Sequence, residues 1–269
     1  MRRICVINQK GGVGKTTTAV SIAAGLSRHD KKVLIIDLDP QGNVALCLNV
    51  EGEKDLYNVL SEDAELKECI KSLGKNLDII TSCETLAKTE MLLAGMKKKE
   101  YVLREKLKGI EGYDYVIIDC PPSIGLLNRN ALLYAQEAFI PVSTDHLGFD
   151  ALNKMQRHIE EINDEFDHSI KITKVIPTLF DRRNKTCRIY LDKINSNFYD
   201  VVTNPVRINS KLKEAPASGK SIFSYAPSSN GAKDYMEAVQ TILSEEKKVL
   251  SVYPNPVTNH FSRRGEAAD

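Results

Sequence analysis

Lys10-Gly11-Gly12-Val13-Gly14-Lys15-Thr16-Thr17 lies between an apolar run, Ile4 to Ile7, and an Ala-rich segment with helical spacing, Thr18 to Leu26. Glycines at these positions let successive backbone N–H groups turn toward one anion, and the following helix adds the positive end of its dipole. A strand, a glycine-rich turn and a helix in this order predict a loop that holds a polyphosphate.

Lys15 and Thr16 have defined roles in such a loop. We expect the Lys15 ammonium to reach the β- and γ-phosphates, and the Thr16 hydroxyl to complete the coordination of Mg²⁺. The general pattern has a glycine where Gln9 stands, and here an additional lysine, Lys10, follows it. The loop is therefore a variant of the phosphate-binding pattern. A turn that is only rich in glycine is the alternative interpretation.

Two apolar runs with the character of buried strands end in aspartates, the first at Asp37 and Asp39 and the second at Asp119. The carboxyl ends of parallel strands form ligand sites, and carboxylates buried there are costly unless cations are near. We therefore predict that Asp119 holds Mg²⁺ opposite Thr16, with Asp39 as the third metal residue. A turn that closes the first strand is the alternative for Asp37 and Asp39.

Strands and helices alternate along the chain. Further strands are predicted at Leu77 to Thr81, Ala138 to Val142 and Lys171 to Leu179. Helices are predicted at Asp55 to Leu60, Ala64 to Leu73, about Thr85 to Met96, Gly125 to Ala135, Leu147 to Phe166, a segment ending near Phe198, and about Gly231 to Ser244. This alternation predicts an α/β fold with a doubly wound, mostly parallel sheet flanked by helices.

Composition narrows the class of protein. With 42% hydrophobic and 27% charged residues, no bilayer-length apolar run and no signal segment, we expect a cytoplasmic globular protein. Six cysteines lack a Cys-x-x-Cys spacing, so most are expected to be buried; an iron–sulfur role for Cys120 across a dimer is the alternative. A net charge of +1 excludes a uniformly basic protein, so any nucleic-acid contact must come from a local patch.

The motifs together resemble the ParA/Soj family of DNA-partition ATPases over about residues 3 to 245. Besides the loop and the strand-end aspartates, the matching segments are Asp119 to Gly125, Asn130-Ala131-Leu132, Phe180-Asp181-Arg182-Arg183, Glu214-Ala215-Pro216 and Gly219 to Ile222. Lys10 before the double glycine resembles the signature lysine of the deviant Walker A group of P-loop NTPases. MinD-type ATPases and nitrogenase iron proteins share that lysine.

The resemblance implies a slow ATPase that forms an ATP-sandwich homodimer, with ATP and Mg²⁺ as cofactors and residues 1–248 as a single P-loop ATPase domain. Lys10 would cross to the partner's nucleotide, and Asp39 would orient the attacking water, so Lys10, Lys15 and Asp39 are the catalytic candidates. The nucleotide-binding candidates are Lys10, Gly11, Gly12, Val13, Gly14, Lys15, Thr16 and Thr17, with Thr178, Asp181, Arg207 and Asn209 on the adenine side, mostly through backbone contacts.

The resemblance also implies non-specific double-stranded DNA and a ParB-type centromere-binding protein as partners, and hence association with the nucleoid. The candidate DNA contacts are Arg182, Arg183, Arg188, Arg207, Lys211, Lys213 and Lys220. An ordinary solvated basic face is the alternative at each of these positions. The sequence departs from the family at Cys120, where threonine is common, and at Asp145-His146, where a Glu-aromatic pair is more usual.

Two functional alternatives remain open. A MinD-like membrane-associated positioning ATPase would need a basic amphipathic helix near the C-terminus, but Pro254 and Pro256 interrupt residues 249–269, which we expect to be a loosely ordered tail. Stable membrane association is therefore not expected. A ParA-like ATPase that positions cargo other than DNA is the second alternative.

Overall fold

A computed structural model describes residues 1–252 of the chain. Its centre is a seven-stranded sheet in the order β3-β4-β2-β5-β1-β6-β7. The strands are β1 Arg2–Val6, β2 Val33–Asp37, β3 Ile70–Ser72, β4 Leu77–Ile80, β5 Tyr115–Asp119, β6 Glu137–Ser143 and β7 Lys171–Thr178. All neighbouring pairs are parallel except β3 with β4. The predicted fold class is confirmed.

Helices cover both faces of the sheet. They are α1 Lys15–Arg28, α2 Asn43–Leu48, α3 Leu56–Ser61, α4 Leu66–Cys69, α5 Ala87–Leu93, α6 Val102–Lys106, α7 Leu126–Tyr134, α8 His146–Phe166, α9 Lys185–Phe198, α10 Ser210–Ala217, α11 Ile222–Tyr225 and α12 Asn230–Val252. No helix among residues 1–252 combines the length and the apolar character that crossing a bilayer requires.

Side-chain alternation along the strands divides the core into two layers. Cys5 and Ile7 pack on one face with α3, α6, α7 and α8, whereas Ile4 and Val6 pack on the other with α1 and α12. Gly25 lies where α1 meets α12, and a Cβ built there would lie 2.5 Å from Cγ2 of Val239. The close approach of these helices therefore depends on a residue without a side chain.

One predicted helix is wrong. The segment from Ala64 to Leu73 was expected to be helical, but only Leu66–Cys69 forms a helix, and Ile70–Ser72 forms the antiparallel edge strand β3. Gly74 and Asn76 have positive φ values of 128° and 65°, which reverse the chain into β4. Pairing with the exposed edge of β4 therefore overrides the local helical spacing.

Two other helices differ in length from their predictions. The helix expected at about Thr85 to Met96 consists of a 3₁₀ turn, Glu84–Leu86, followed by α5, which ends at Leu93. The last helix was expected to end at Ser244 but continues to Val252. The first four residues of the segment predicted as a tail, 249–252, therefore lie in this helix. The rest of that segment, 253–269, lies outside the described residues.

The sheet order brings three chain segments to one edge. β2, β5 and β1 are adjacent, and Asp119 aligns with Asp37 on one side and with Val6 on the other. The glycine-rich loop begins just after β1, so it leaves the sheet beside both strand-end aspartates. Topology alone thus brings together groups that are about 110 residues apart in the sequence.

Candidate functional site

The glycine-rich loop forms an open cradle at the start of α1. Gly12 and Gly14 have φ values of 74° and 86°, in the left-handed region that glycine adopts without strain. A Cβ built on Gly11 or Gly12 meets no described atom within 4 Å, so neighbouring residues do not crowd this part of the loop. Within residues 1–252, no side chain caps the N-terminus of α1, and its first N–H groups are available to an anion.

Side chains from outside the loop hold it against β6 and β7. The buried Asn8 accepts a hydrogen bond from the backbone N–H of Lys10 at 3.0 Å and donates one to the carbonyl of Pro141 at 2.8 Å. The Thr178 hydroxyl donates to the carbonyl of Val13 at 2.8 Å. Thr178, predicted on the adenine side, thus also supports the phosphate loop.

Replacing Thr178 by valine is expected to lower the free energy of unfolding by about 1 kcal/mol, because valine keeps the shape but leaves the buried Val13 carbonyl without its donor. Urea denaturation measures the change. Thr144→Val is a matched control, since the Thr144 hydroxyl is buried without a hydrogen-bond partner among the described residues. Its removal should be neutral or stabilising, and equal losses in the two variants would contradict the assigned contact.

Lys15 is the cation at the base of the cradle. The residue is 8% exposed, and its ammonium donates to the carbonyl of Lys10 at 3.3 Å. Burial lowers the pKa of Lys15, and the nearby carboxylates of Asp119 and Asp39 act in the opposite direction. The ammonium therefore lies between an open anion cradle and a group of acids.

Asp119 provides the strongest evidence for a cation site. It is fully buried, and neither carboxylate oxygen has a hydrogen-bond partner among the described residues. Burial raises its pKa well above the ordinary value, Asp37 adds to the rise, and the Thr16 hydroxyl and the Lys15 ammonium oppose it. Orphaned buried carboxylate oxygens are rare and costly, so this group is suited to binding a cation.

The donor set fits a hard divalent cation that shares its shell with a ligand. The Thr16 hydroxyl and the Asp119 carboxylate supply oxygen atoms, which Mg²⁺ prefers. Within the described part of the chain, no cluster of three or more His, Cys, Asp and Glu side chains could hold a metal by itself. A cation here would need phosphate oxygens and water to complete its coordination.

Asp37 and Asp39 have separate roles, because the strand ends at Asp37. The buried Asp37 accepts hydrogen bonds from the backbone N–H groups of Asp39 and Val44, each at 3.0 Å, and so shapes the turn. Burial raises the pKa of Asp37 to about 7. Among the described residues, the Asp39 carboxylate accepts one hydrogen bond, from the N–H of Gln41 at 3.0 Å, and Asp39 lines a cleft beside the loop.

A cleft of about 420 Å³ joins the loop to the segment after β2. Its lining residues are Gly11, Gly12, Gly14, Lys15, Thr16, Thr17, Asp39, Gln41, Asn43 and Pro122. The cleft thus brings most of the predicted phosphate and metal residues together. Gln41, Asn43 and Pro122 were not predicted to line the site. Each of them closely follows a strand-end aspartate, and this position in the sequence could have identified them.

The adenine-side candidates do not line this cleft. The side chains of three of them have structural partners: Asp181 pairs with Arg183, Arg207 pairs with Asp234, and Asn209 caps α10. A β-bridge between Phe180 and Arg207 holds together the two backbone segments that carry these candidates. Leu179, which lies between Thr178 and Phe180, has a φ of 54°, which is uncommon for a branched residue. A backbone-mediated adenine site at this segment stays a prediction.

The DNA candidates fall into two groups. Arg183, Arg207 and Lys211 form ion pairs with acids of their own chain, at Asp181, Asp234 and Glu214. For Arg182, Arg188, Lys213 and Lys220, no ion pair occurs with another described side chain. Lys220 also lines a groove of about 240 Å³ with Arg28 and Lys75, two cations that the sequence did not single out. DNA contact at all of these positions stays a prediction.

The side chain of Lys10 is bound within its own chain. Its ammonium donates to the two carboxylate oxygens of Asp145 at 2.8 and 3.0 Å and to the Ser143 hydroxyl at 2.9 Å. These two partners lie at the end of β6 and the start of α8. Sequence reasoning noted Asp145 only as a departure from the family pattern, because nothing local links residues 135 positions apart.

Comparison with known proteins agrees with this geometry. The family model described as "AAA domain" matches residues 1–172. Sporulation initiation inhibitor protein Soj of Bacillus subtilis is 36% identical over 245 residues, which span 89% of this chain and 97% of Soj. Chromosome partitioning protein ParA of Caulobacter vibrioides is 32% identical over 255 residues, which span 92% of this chain and 96% of that protein.

A solved structure matches the whole fold. Cobyrinic acid a,c-diamide synthase from Mycobacterium smegmatis, crystallised with an ATP analog and magnesium, has a TM-score of 0.79 and 28% sequence identity. The match covers 93% of this chain and 97% of the synthase. The curated relatives match nearly end to end, as the sequence motifs led us to expect. This chain therefore belongs to the ParA/Soj family of P-loop proteins.

Proposed function

We propose that this protein is an ATPase that dimerises when it binds ATP and Mg²⁺, holds non-specific double-stranded DNA in that state, and releases it after hydrolysis. The observation that carries the proposal is the buried carboxylate of Asp119, which has no hydrogen-bond partner among the described residues and lies near Thr16 and the Lys15 ammonium. The relative named chromosome partitioning protein ParA supports a role in chromosome partition. We extend the proposal to plasmid DNA and to a ParB-type partner, as the family resemblance of the sequence motifs implies.

Phosphoryl transfer to water asks a protein mainly to position the water and to offset charge on the phosphate oxygens. The loop N–H groups and Lys15 would offset the charge on the phosphate oxygens, and Thr16 and Asp119 would hold the Mg²⁺, which would supply further charge neutralisation when bound. Asp39 lines the cleft, and its second carboxylate oxygen, which has no hydrogen-bond partner among the described residues, would orient a water molecule. Among the residues that the structure describes, no histidine lines this cleft, and we expect intrinsic turnover to be slow.

Dimerisation follows from the place of Lys10 in the loop. In the proposed ATP state, the Lys10 side chain gives up its contacts within its own chain and reaches the phosphates bound by the partner. An arginine finger supplied in trans acts in the same way. Two chains then share two nucleotides. The number of phosphate contacts to DNA doubles at the same time, and retention on DNA comes to depend on ATP.

Sedimentation velocity with ATP, with ADP and without nucleotide, all with Mg²⁺, tests the proposal. We expect a dimer with ATP and a monomer in the other two states, with Lys10→Ala monomeric in all three because the contact in trans is lost. A sedimentation coefficient that does not change among the three states would contradict the proposed ATP dimer.

The membrane alternative keeps one observation in its favour, since α12 continues to Val252, into the segment predicted as a tail. Co-sedimentation with anionic liposomes in ATP and ADP separates the two functions. ATP-dependent recovery with liposomes and not with DNA would favour a MinD-like positioning ATPase. Recovery with neither would favour a ParA-like ATPase with another cargo.

A further inference from the structure

The environment of Lys10 suggests how dimerisation is restrained. We propose that Asp145 and Ser143 form a clamp that holds Lys10 within its own chain, so that the ATP dimer can close only when this contact opens. The inference rests on the proposed function, because it concerns the lysine that would act in trans. Its direct evidence is the three hydrogen bonds from the Lys10 ammonium to these two side chains.

Each N–H group of the Lys10 ammonium has an acceptor in the clamp. A lysine ammonium has three N–H groups, and here three acceptors surround it, namely both oxygens of Asp145 and the hydroxyl of Ser143. The Lys10 side chain is only 26% exposed. A phosphate of the partner's nucleotide must therefore displace a carboxylate and a hydroxyl together, not water alone.

The acceptors of the clamp are fixed by their own backbone environment. Asp145 is the N-cap of α8, where its carboxylate also accepts the N–H of Gly148 at 2.6 Å. A Cβ built on Gly148 would clash with the Ser143 carbonyl, so the first turn of α8 admits only glycine at that position without a backbone shift. These contacts hold the acceptors in place, so the ammonium has to leave them when Lys10 reaches a partner.

The start of α8 is also braced against α9. The rings of His146 and Phe149 both lie beside Tyr190, with centroids 5.9 and 6.2 Å away. Asp145 and His146 depart from the family pattern and have distinct contacts. Asp145 accepts hydrogen bonds from Lys10, and His146 packs against Tyr190 of α9. The acceptor side of the clamp is therefore supported by the packing of α8 against α9.

The expected change in free energy is small for each chain, and the dimer contains two such contributions. The Asp145 side chain is 46% exposed, and an ion pair with this degree of exposure changes an equilibrium by about threefold. Closing a dimer opens two clamps and the two factors multiply, so removing both should tighten the ATP dimer by about tenfold in total. The clamp thus sets the ATP-bound concentration at which chains associate.

Asp145→Asn tests the clamp, because asparagine can still accept the Gly148 N–H at the N-cap but lacks the charge that holds Lys10. The matched control is Asp150→Asn, which removes an exposed ion pair with Lys154, 2.8 Å long, on the same helix. Both are made in an Asp39→Ala background to prevent ATP turnover, and the dimer dissociation constant with ATP is measured by sedimentation. We expect a decrease of about tenfold for Asp145→Asn and no change for Asp150→Asn.

A second measurement needs neither ATP nor a dimer. Acetylation of the nucleotide-free chains with an N-hydroxysuccinimide ester, followed by mass spectrometry, reports how accessible the Lys10 amine is. We expect faster labelling of Lys10 in Asp145→Asn and Ser143→Ala than in the parent and in Asp150→Asn, with labelling of Lys154 rising only in Asp150→Asn.

The two measurements distinguish the possible failures. Equal Lys10 labelling in Asp145→Asn and the parent would show that no clamp exists. Faster labelling with an unchanged or weaker ATP dimer would overturn its proposed restraint on association. If no chain, the parent included, dimerises with ATP, then the proposed function fails and this restraint fails with it, while labelling still reports whether Asp145 holds Lys10.

Discussion

Lys15→Ala is expected to lower kcat/KM for ATP by about 10²- to 10³-fold, a loss typical of removing one preorganised group that stabilises charge in the transition state. The Lys15 ammonium lies at the base of an open cradle, and its one hydrogen bond within the described chain, to the Lys10 carbonyl, is long at 3.3 Å. The side chain is therefore available for phosphate. Steady-state ATP hydrolysis and calorimetric titration with an ATP analog measure the loss.

The fold of this variant should remain intact, because the backbone of the loop is held by Asn8 and Thr178 and not by Lys15. Circular dichroism and thermal unfolding serve as the control. A variant that is folded and hydrolyses ATP within about tenfold of the parent would contradict the assignment of Lys15 to the phosphates.

Asp39→Ala is expected to lower kcat for ATP by at least about 10²-fold while ATP binding and the ATP dimer persist. The carboxylate of Asp39 accepts one backbone N–H and otherwise faces the cleft, so its removal affects the attacking water more than the loop. Single-turnover hydrolysis, combined with sedimentation in ATP, measures both properties. Normal turnover in this variant would contradict the water-orienting role.

Asp37→Ala provides the contrast, because the neighbouring carboxylate has the opposite role. Asp37 accepts the N–H groups of Asp39 and Val44, and its loss leaves both buried donors without a partner. We expect the free energy of unfolding to fall by about 1–3 kcal/mol, against a small change for Asp39→Ala. Equal stability losses in the two variants, measured by urea denaturation, would contradict this division.

Much of the site could be predicted from the sequence because its signals are local. The glycines before Lys15 and the aspartates at two strand ends can each be recognised from a stretch of about ten residues, and parallel strands bring their carboxyl ends to one edge. The contacts between residues far apart in the sequence became visible only in the structure. The Arg207 guanidinium pairs with Asp234 and the Lys10 ammonium with Asp145, partners that no local pattern identifies. A basic residue that a motif assigns to ligand binding can therefore be paired with an acid of its own chain in the structure.

The edge strand β3 shows the same limit for the fold. Residues 64–73 have helical spacing, but the unpaired backbone groups along β4 offer Ile70–Ser72 a ladder of hydrogen bonds that the sequence cannot reveal. The intrinsic secondary-structure preference of the residues has less influence on the conformation of a short segment when that segment lies beside an open sheet edge. The helix α8 was predicted nearly to the residue, at Leu147 to Phe166 against the observed His146–Phe166, because burial and periodicity agree there.

Co-sedimentation with non-specific double-stranded DNA tests the central claim most directly, when it is measured with ATP, with ADP and without nucleotide across a range of salt concentrations. If a monomer contacts about three phosphates and a dimer six, the log of the affinity should fall with log salt at a slope of about −2.7 in ADP and about −5.4 in ATP. Strong, salt-sensitive retention only with ATP is the result we predict. Equal binding in all three states would contradict a DNA-binding switch controlled by ATP.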